Sequence, residues 1–440
     1  MRIHLKTLGC RLNEAELETW SRDFQRQGHR LTDDPGQADL VVVNTCAVTE
    51  AAVRKSRKLL GHSLRHNPHA RLVVSGCYAS LDPQTTAQLE GVDLVVPNRD
   101  KSRLVEIVSR KLALQASPGP AVEQPTTGLL ERGRQRAFIK VQDGCRYRCT
   151  FCIVTLARGA ERSRPVGEIV DEINRLHAEG IQEVVLTGVH LGGYGSDQGH
   201  NLHGLIQRLL AETDLPRLRV GSLEPWDLPD GFWTLFENPR FMPHLHLPLQ
   251  SGADSVLRRM ARRCKTAEYR RLIEQARREV PNFNVTTDVI VGFPGETEQE
   301  WRQTLAFVAE IGFGHLHIFT YSPRAGTKAA QLPDPVSREL KRERSETLHA
   351  LGEKLKRQTL ERQLGRTLPV LVEGSAKTGW GGYTPNYLRV NIGAETTQDL
   401  SNRIVRVMLT GIDPTGEHLL GRPNHRDTDP PFQVTLPPVN

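Results

Sequence analysis

The sequence predicts an α/β protein in three parts: a small parallel α/β domain, a central partial (β/α)6 barrel, and a small all-β, OB-like barrel at the C-terminus. Three observations predict it. Strand-like apolar runs alternate with helical segments up to about residue 113, the pattern of a parallel sheet flanked by helices. After a stretch rich in Pro, Gly, Ser and Thr the alternation restarts near residue 135 and gives six further strand candidates. Beyond Gly365 the helical period disappears, and short alternating runs separated by Gly and Pro replace it. At 440 residues the chain exceeds one ordinary core, so two or three domains are expected. The expected segments are 1–113, a linker 114–134, a barrel with its connecting helix 135–363, a β-barrel 364–427 and a tail 428–440.

In the first domain, Ile3–Leu8 reads as a strand. Asn13, with Glu16 three residues on, is placed to cap a helix running to about Gln27. Asp39–Asn44 is a continuous apolar run suited to a strand buried on both faces. A helix rich in Arg and Lys follows from Ala51 to His66. Then come a strand at Arg71–Ser75, a short helix, a strand at Asp93–Pro97 and a helix from Lys101. A cysteine follows each of the first three longer strands, in Leu8-Gly-Cys10, Asn44-Thr-Cys46 and Ser75-Gly-Cys77. The carboxyl edge of a parallel sheet is where ligands bind, and glycine before Cys10 and Cys77 permits tight turns. One free cysteine reads as a small buried hydrophobe. Three at equivalent strand ends read as a ligand set for a soft metal centre.

The central series has strand candidates at Ala137–Gln142, Glu183–Val189, Arg217–Leu223, His244–Leu249, Asn284–Val291 and His315–Tyr321. Helical patterns lie between them, among them Gly167–Ala178, Thr266–Arg278 and Glu298–Glu310. Six units give a barrel open on one side, with working residues at the strand C-termini. The loop after the first strand carries Cys145-x3-Cys149-x2-Cys152. Three thiolates at this spacing suit an iron–sulfur cube and leave its fourth iron unclaimed. The competing reading is a zinc knuckle short of one ligand. Structural zinc sites close with four ligands, and the nearest downstream histidine, His177, lies on a predicted helix. Cys264 has no partner at metal spacing and reads as a non-ligand.

Other strand ends carry polar turns: Thr187-Gly188-Val-His-Leu-Gly-Gly193, Ser222-Leu-Glu224, Leu249-Gln250-Ser-Gly252, and Asp288 to Glu296. Singly each reads as a structural turn; their repetition marks one rim as a binding edge. Arg146, Arg148, Arg158, Arg162 and Arg164 crowd the cysteine loop, either as a cationic rim for phosphates and cluster charge or as a solvated basic face.

From Val336 to about Gln363 a charged helix leads out of the barrel, with the mixed signs of a solvated face. Strands are then expected at Leu368–Glu373, Tyr387–Val390 and Ile404–Leu409. Tyr383, Tyr387, Arg389, Arg403 and Arg406 suit base stacking and phosphate contact, with core packing as the alternative for the tyrosines. A net charge of +7 points modestly to a polyanion such as nucleic acid. Seven cysteines, an odd number, argue for metal or redox use over disulfides. No apolar run approaches the ~20 residues of a membrane span. Met1-Arg-Ile-His-Leu-Lys6 runs straight into a strand pattern, so the expected location is the cytoplasm, without a membrane partner.

Taken in order, the parts resemble the radical S-adenosylmethionine (SAM) methylthiotransferase family over nearly the whole chain. The resemblance rests on Lys6-Thr-Leu-Gly-Cys10-Arg-Leu-Asn13, Asn44-Thr-Cys46-Ala-Val-Thr49, Ser75-Gly-Cys77-Tyr78 and Gly144-Cys145-x3-Cys149-Thr-Phe-Cys152. It extends to Thr187-Gly-Val, His246-Leu-Pro-Leu-Gln250-Ser-Gly, Asp288 to Thr297 and Tyr321-Ser-Pro-Arg-Ala-Gly-Thr327. The resemblance implies an N-terminal cluster domain, a radical SAM barrel and a C-terminal TRAM domain. It implies two 4Fe–4S clusters, one on Cys145, Cys149 and Cys152, which cleaves SAM to a 5′-deoxyadenosyl radical, and one on Cys10, Cys46 and Cys77, which carries sulfur. Phe151, Gly188, Ser222, Glu224, Gln250 and Asp288 are the implied SAM contacts. The implied partners are the anticodon loop of a tRNA, a reductant such as flavodoxin or ferredoxin, and a sulfur donor. Within the family, Asn44 to Arg57 looks most like the branch acting on N6-threonylcarbamoyladenosine at position 37. The other branches act on N6-isopentenyladenosine or on a ribosomal-protein aspartate, and a non-catalytic iron–sulfur RNA-binding module is the reading from a different class. One departure is Val154-Thr155, where the family pattern has Ile-Pro after the last cysteine.

Overall fold

The computed structural model describes residues 1–114, 134–376, 379–393 and 399–424; the expected tail 428–440 and all but the ends of the expected linker lie outside them. The chain divides into two compact units, Met1–Leu355 and Lys356–Asn440.

The first unit begins with five parallel strands, β1 (Arg2–Thr7), β2 (Arg30–Leu31), β3 (Leu40–Thr45), β4 (Arg71–Gly76) and β5 (Leu94–Val96), in the order β2-β1-β3-β4-β5. Every residue of the central β3 is buried, which is why its sequence shows no polar alternation. The connecting helices are α1 (Arg11–Arg26), α2 (Glu50–His66), α3 (Cys77–Leu81), α4 (Pro83–Ala87) and α5 (Leu104–Lys111). The chain steps outward from β1 to β2 and then returns across β1 to β3. That places the topological switch, the ligand-binding crevice of open α/β sheets, between β1 and β3.

The expected cap on α1 is corrected. The helix starts at Arg11, with Cys10 at the N-cap and no side-chain cap bond. Asn13 and Glu16 lie inside the helix and are buried, because their partners are buried polar groups rather than the helix's own amides.

The barrel strands are β6 (Arg136–Lys140), β9 (Glu183–Thr187), β10 (Arg217–Val220), β11 (His244–His246), β12 (Asn284–Val291) and β13 (His315–Thr320). Between β6 and β9 lie a short antiparallel pair, β7 (Gln142–Asp143) and β8 (Arg162–Ser163), with α6 (Val154–Arg158) and α7 (Val166–Ala178). The remaining helices are α8 (Leu202–Glu212), α9 (Asp254–Arg259), α10 (Thr266–Glu279) and α11 (Glu298–Ile311). Strands β6, β9 and β10 form one parallel ladder and β11, β12 and β13 another. Bridges at Leu218–Phe241 and Ser222–His246 join the two ladders. Strands β6 and β13 do not pair with each other, so the barrel is open on that side. Val184, Leu218, Leu245 and Val289 of the strands pack against Ile173, Leu205, Ile273 and Val308 of the helices. At the start of the strands the fully buried Glu183 is held by Arg219 at 3.1 Å and Arg217 at 3.7 Å, a stabilising device at the end away from the loops that carry chemistry.

In the second unit β14 (Thr367–Ala376), β15 (Gly379–Tyr383), β16 (Arg389–Gly393), β17 (Ile404–Ile412) and β18 (Leu419–Pro423) close into a barrel in the order β14-β15-β16-β18-β17. Val370, Val372, Val390, Ile392, Val407 and Leu409 fill it. The division between units falls within α12 (Arg338–Glu361).

Within the first unit, α1 is tied to α7 by Arg22, which donates to Glu172; Arg164 also reaches Glu172, at 2.7 Å. Burial opposes the Glu172 charge, but the two guanidiniums pull its carboxyl down to about 2. A lowered carboxyl stabilises the fold above its ordinary value near 4.5 and loses that contribution as pH falls toward 2. The loss amounts to about 3 kcal/mol. Urea melts at pH 7 and pH 3 should therefore show a steeper loss of stability for the native chain than for Glu172→Gln. The variant should already be weaker at pH 7.

Candidate metal and cofactor site

Strand β6 delivers the chain to Gly144, whose φ is +74° and where a Cβ would lie 1.9 Å from the Ala160 carbonyl oxygen. Only glycine fits, and the turn lets the Cys145 amide donate to Gly159 at 3.1 Å. The Cys152 amide donates to the Cys149 carbonyl at 3.0 Å, closing the C-x2-C turn. Thr150, between them, donates from its amide to Met260 and from its hydroxyl to Arg259, and it accepts from the Ala329 amide at 2.9 Å. The loop is therefore clasped by the end of α9 and by the segment after β13. Burial pushes the Cys145 thiol up to about 12, with Cys152 and Cys149 adding to the shift; burial likewise takes Cys152 to about 11. Three half-buried thiols that close together hold protons in isolation and suit a soft, positively charged centre, which deprotonates its ligands. Arg262 supplies a fixed cation beside them. Its side chain is buried, 2.6 Å from Glu224 and 3.9 Å from the Cys149 sulfur, with its guanidinium 4.3 Å from the Trp226 ring centre.

A second polar group near this loop centres on His190, within the turn after β9, and its partners come from distant segments. His190, fully buried, lies between Glu161, 2.5 Å from Nδ1, and Asp227, 2.5 Å from Nε2. Burial disfavours the imidazolium, yet the bonds to Asp227 and Glu161 hold His190 above its ordinary pKa. Tyr147 donates to Asp227 at 2.6 Å, and Arg146 pairs with Glu161 at 3.4 Å. Cys145, Glu161 and His190 come within metal-ligand distance of one another. Both His190 nitrogens are already bonded to carboxylates, so this trio braces the loop rather than forming a separate metal site.

The other three cysteines converge at the switch of the parallel sheet. Cys10 caps α1 after β1, Cys46 follows β3, and Cys77 opens α3 after β4. Gly9 has φ +108°, and a Cβ there would lie 2.8 Å from both the Cβ and the sulfur of Cys46, so glycine permits the approach. Burial raises the Cys46 thiol, and Cys77 and Cys10 raise it further. Cys10 is exposed whereas Cys46 and Cys77 are buried, giving this trio one open side. The Asn98 amide donates to the Cys77 sulfur at 3.8 Å.

A buried charge lattice joins the two trios. Glu16, on α1, lies 2.5 Å from Lys101, 3.0 Å from Lys140 and 2.9 Å from Arg158. Arg158, six positions after Cys152, also donates to Asp143 at 3.0 Å and to Asn13 at 2.8 Å, three positions after Cys10. Burial opposes the Glu16 charge, but Arg158, Lys101 and Lys140 hold its carboxyl well below the usual range. Asn98, which contacts Cys77, also donates to the Ala157 carbonyl at 2.8 Å. The dipeptide after one cysteine trio is thus hydrogen-bonded to residues that contact two members of the other.

Comparison with known proteins is consistent along the chain. Residues 2–97 match the model described as uncharacterized protein family UPF0004, and residues 139–308 match the radical SAM superfamily. The threonylcarbamoyladenosine tRNA methylthiotransferase MtaB of Bacillus subtilis is 34% identical over 422 residues, covering 92% of this chain and 93% of the relative. The chain belongs to the radical SAM methylthiotransferases. MtaB of Thermotoga maritima is also 34% identical, covering 88% of this chain and 90% of its own. The tRNA-2-methylthio-N(6)-dimethylallyladenosine synthase of Bacillus pumilus is 33% identical, covering 93% and 84%. The fold resembles that of the radical SAM methyltransferase TsrM of Kitasatospora setae, with TM-score 0.55 at 16% identity over 72% of each chain.

The remaining family-implied contacts are distributed around the barrel mouth. Phe151 packs against the apolar cluster of Ala253, Met260 and Phe293. The turn at Gly188 is held by Gln142, whose side-chain oxygen accepts from the Val189 and His190 amides at 3.0 and 2.9 Å. Ser222 is exposed after β10, and Glu224 is committed to Arg262. Gln250, at φ +74°, exchanges backbone hydrogen bonds with Asp288 and Ile290. Asp288 pairs with His246 Nε2 at 3.1 Å, and the His317 ring centre is 5.3 Å from that of His246. Cys264 packs into the barrel core.

The five arginines do not form one rim. Arg158 is buried in the lattice, which corrects its expected surface role, and Arg164 is engaged with Glu172. Arg146, Arg148 and Arg162 are exposed. In the second unit Tyr383 and Tyr387 stack on each other with ring centres 5.0 Å apart, and Arg389, Arg403 and Arg406 are exposed.

Arg158→Met should lower stability by about 3–5 kcal/mol, because it strands buried carboxylates. Arg162→Ala, at an exposed position, should change it by no more than about 0.5 kcal/mol. Denaturant midpoints of the two variants check this.

Proposed function

We propose that this methylthiotransferase converts N6-threonylcarbamoyladenosine at position 37 of tRNA to its 2-methylthio derivative. In this reading Cys145, Cys149 and Cys152 hold one 4Fe–4S cluster, and Cys10, Cys46 and Cys77 hold a second. The observation that carries the reading is the pairing of two three-thiol sites in one compact unit, each lacking a fourth protein thiol among the described residues. One site on its own would support radical generation alone. The 34% identity to MtaB over nearly the full length of both chains supports the threonylcarbamoyladenosine branch.

Bound in these sites, the clusters and SAM supply the radical and the sulfur that C2 of an adenine requires, chemistry outside the reach of side chains. The protein's contribution is placement. Glycine turns at Gly9 and Gly144 bring the thiols together, and the carboxylate-braced His190 fixes the Cys145 loop. Phe151, Gly188, Ser222, Glu224, Gln250 and Asp288 lie at the mouth to receive SAM, with Arg262 orienting Glu224. Tyr383, Tyr387, Arg389, Arg403 and Arg406 of the second unit contact RNA. Segments 1–113, 135–363 and 364–427 serve as cluster, radical and RNA modules. A low-potential reductant such as flavodoxin or ferredoxin and a separate sulfur donor complete the reaction, in the cytoplasm.

Nucleoside mass spectrometry of tRNA from cells with and without the gene tests the assignment. Loss of the 2-methylthio-threonylcarbamoyl signal is expected. Loss of a 2-methylthio-isopentenyl signal instead would reassign the branch. Anaerobically reconstituted protein should carry about eight irons, and Cys46→Ala about four. Equal iron in both would remove the second site.

A further inference from the structure

Helix α2 is unusual for an exposed helix. Arg54, Lys55, Arg57, Lys58 and Arg65 place five cations on it, and Glu50, at its start, is its one acid. Solvated helices ordinarily interleave opposite charges three or four positions apart, and like charges at that spacing destabilise them. Arg54 and Lys58 are such a like pair. Arg54, Lys58, His62 and Arg65 follow one another at helical spacing, forming an exposed stripe about 16 Å long. Arg54 has a loose pair with Glu50 at 3.8 Å; Lys55, Lys58 and Arg65 pair with no carboxylate among the described residues.

The opposite face of α2 fastens this stripe to the site. Ser56, fully buried, accepts from the Cys46 amide at 3.1 Å and donates to the Cys46 carbonyl at 2.9 Å. Thr49 caps the helix through the Ala52 amide. The Glu50 amide reaches Ser322, in the segment that also contacts the Cys145–Cys152 loop through Ala329. Arg57 donates to the Tyr78 hydroxyl at 3.0 Å, beside Cys77. The stripe is therefore held in register with both cysteine trios.

We propose that α2 is a phosphate-contacting rail for the substrate tRNA, gripping the backbone near the anticodon while the target base enters between the cysteine trios. The inference rests on tRNA being the substrate. Charge selects a polyanion, the unpaired cations supply its contacts, and the link to Cys46 explains why the contact belongs here. An acidic electron-transfer protein is the competing occupant.

The test compares Arg54→Ala/Lys58→Ala/Arg65→Ala with the unsubstituted, cluster-loaded protein. The probe is full-length tRNA carrying N6-threonylcarbamoyladenosine, with its dissociation constant measured across a salt series. Each lost phosphate contact removes about 0.7–0.9 from the slope of log affinity against log salt, so the triple variant should lose about 2–3. Its affinity at low salt should fall at least about tenfold. Iron content and tRNA-independent SAM cleavage should not change, since these side chains touch neither trio. Lys58→Glu alone, at an exposed residue, should also flatten the slope and guards against misfolding of the triple variant. An unchanged slope in both variants would overturn the rail. An unchanged slope with slowed reduction by flavodoxin would give the surface to an acidic protein instead. Failure of the unsubstituted protein to bind this tRNA would overturn the substrate reading, and the rail with it.

Discussion

Glu16 lies out of water with Lys101, Lys140 and Arg158 around it, and these cations come from the segment after β5, from β6 and from α6. A lone buried carboxylate would take up a proton, and lone buried cations would be expelled to solvent. Together they stay charged, but only while the parallel sheet and the barrel hold one arrangement. Removing any one member leaves the others desolvated and unpaired, and that penalty, more than the attraction itself, enforces the geometry. Asn13 and Asn98 extend the lattice to within contact of Cys10 and Cys77, so the same arrangement sets where one thiol trio lies relative to the other.

Electrostatic design near the thiols follows a consistent rule. Each buried charge is answered by one held in place from another element: Glu224 by Arg262, Glu172 by Arg22 and Arg164, His190 by Glu161 and Asp227. Such pairs add little net stability for their desolvation cost, but they admit few alternative geometries. Two thiol trios that hold a fixed register need such a scaffold, because a small shift of one would break it. The thiols sit on loops, yet those loops are fixed through backbone hydrogen bonds at Cys145, Thr150, Cys152 and Cys46.

Much of this was legible in the sequence because its signals are local. Apolar runs marked β3, strand-end cysteines with glycine before Cys10 and Cys77 marked one trio, and the C-x3-C-x2-C spacing marked the other. Features that depend on distant partners were not legible. Asn13 and Glu16 carry the pattern of a helix cap, and nothing nearby in sequence reveals that Arg158, more than 140 positions on, draws them inward. Arg158 likewise looks like its exposed neighbours Arg146 and Arg162 until its partners are known. His190 was present in a noted turn, but its role comes from two carboxylates 29 and 37 positions away. Strand β2 is two residues long and polar in context, and β15 is Gly-Trp-Gly-Gly-Tyr, where glycine erases the alternation that identifies strands.

The distribution of unpaired charge completes the physical account. In the first unit the buried charges around the thiols are held in clusters of opposite sign, such as Glu16 with Lys101, Lys140 and Arg158, and His190 with Glu161 and Asp227. Helix α2 concentrates positive charge on a solvent face while its buried face, through Ser56, bonds to both backbone groups of Cys46. A single helix thereby carries two requirements on opposite sides: neutral hydrogen bonding toward the Cys46 turn, and positive charge toward solvent. A cationic side chain on the buried side would place a desolvated charge beside the thiols, and an acid on the exposed side would cancel the field. The sequence between Glu50 and His66 satisfies both constraints at once: the buried positions are Ser56, Leu60 and Ser63, and Arg54, Lys55, Arg57, Lys58 and Arg65 all lie on exposed ones.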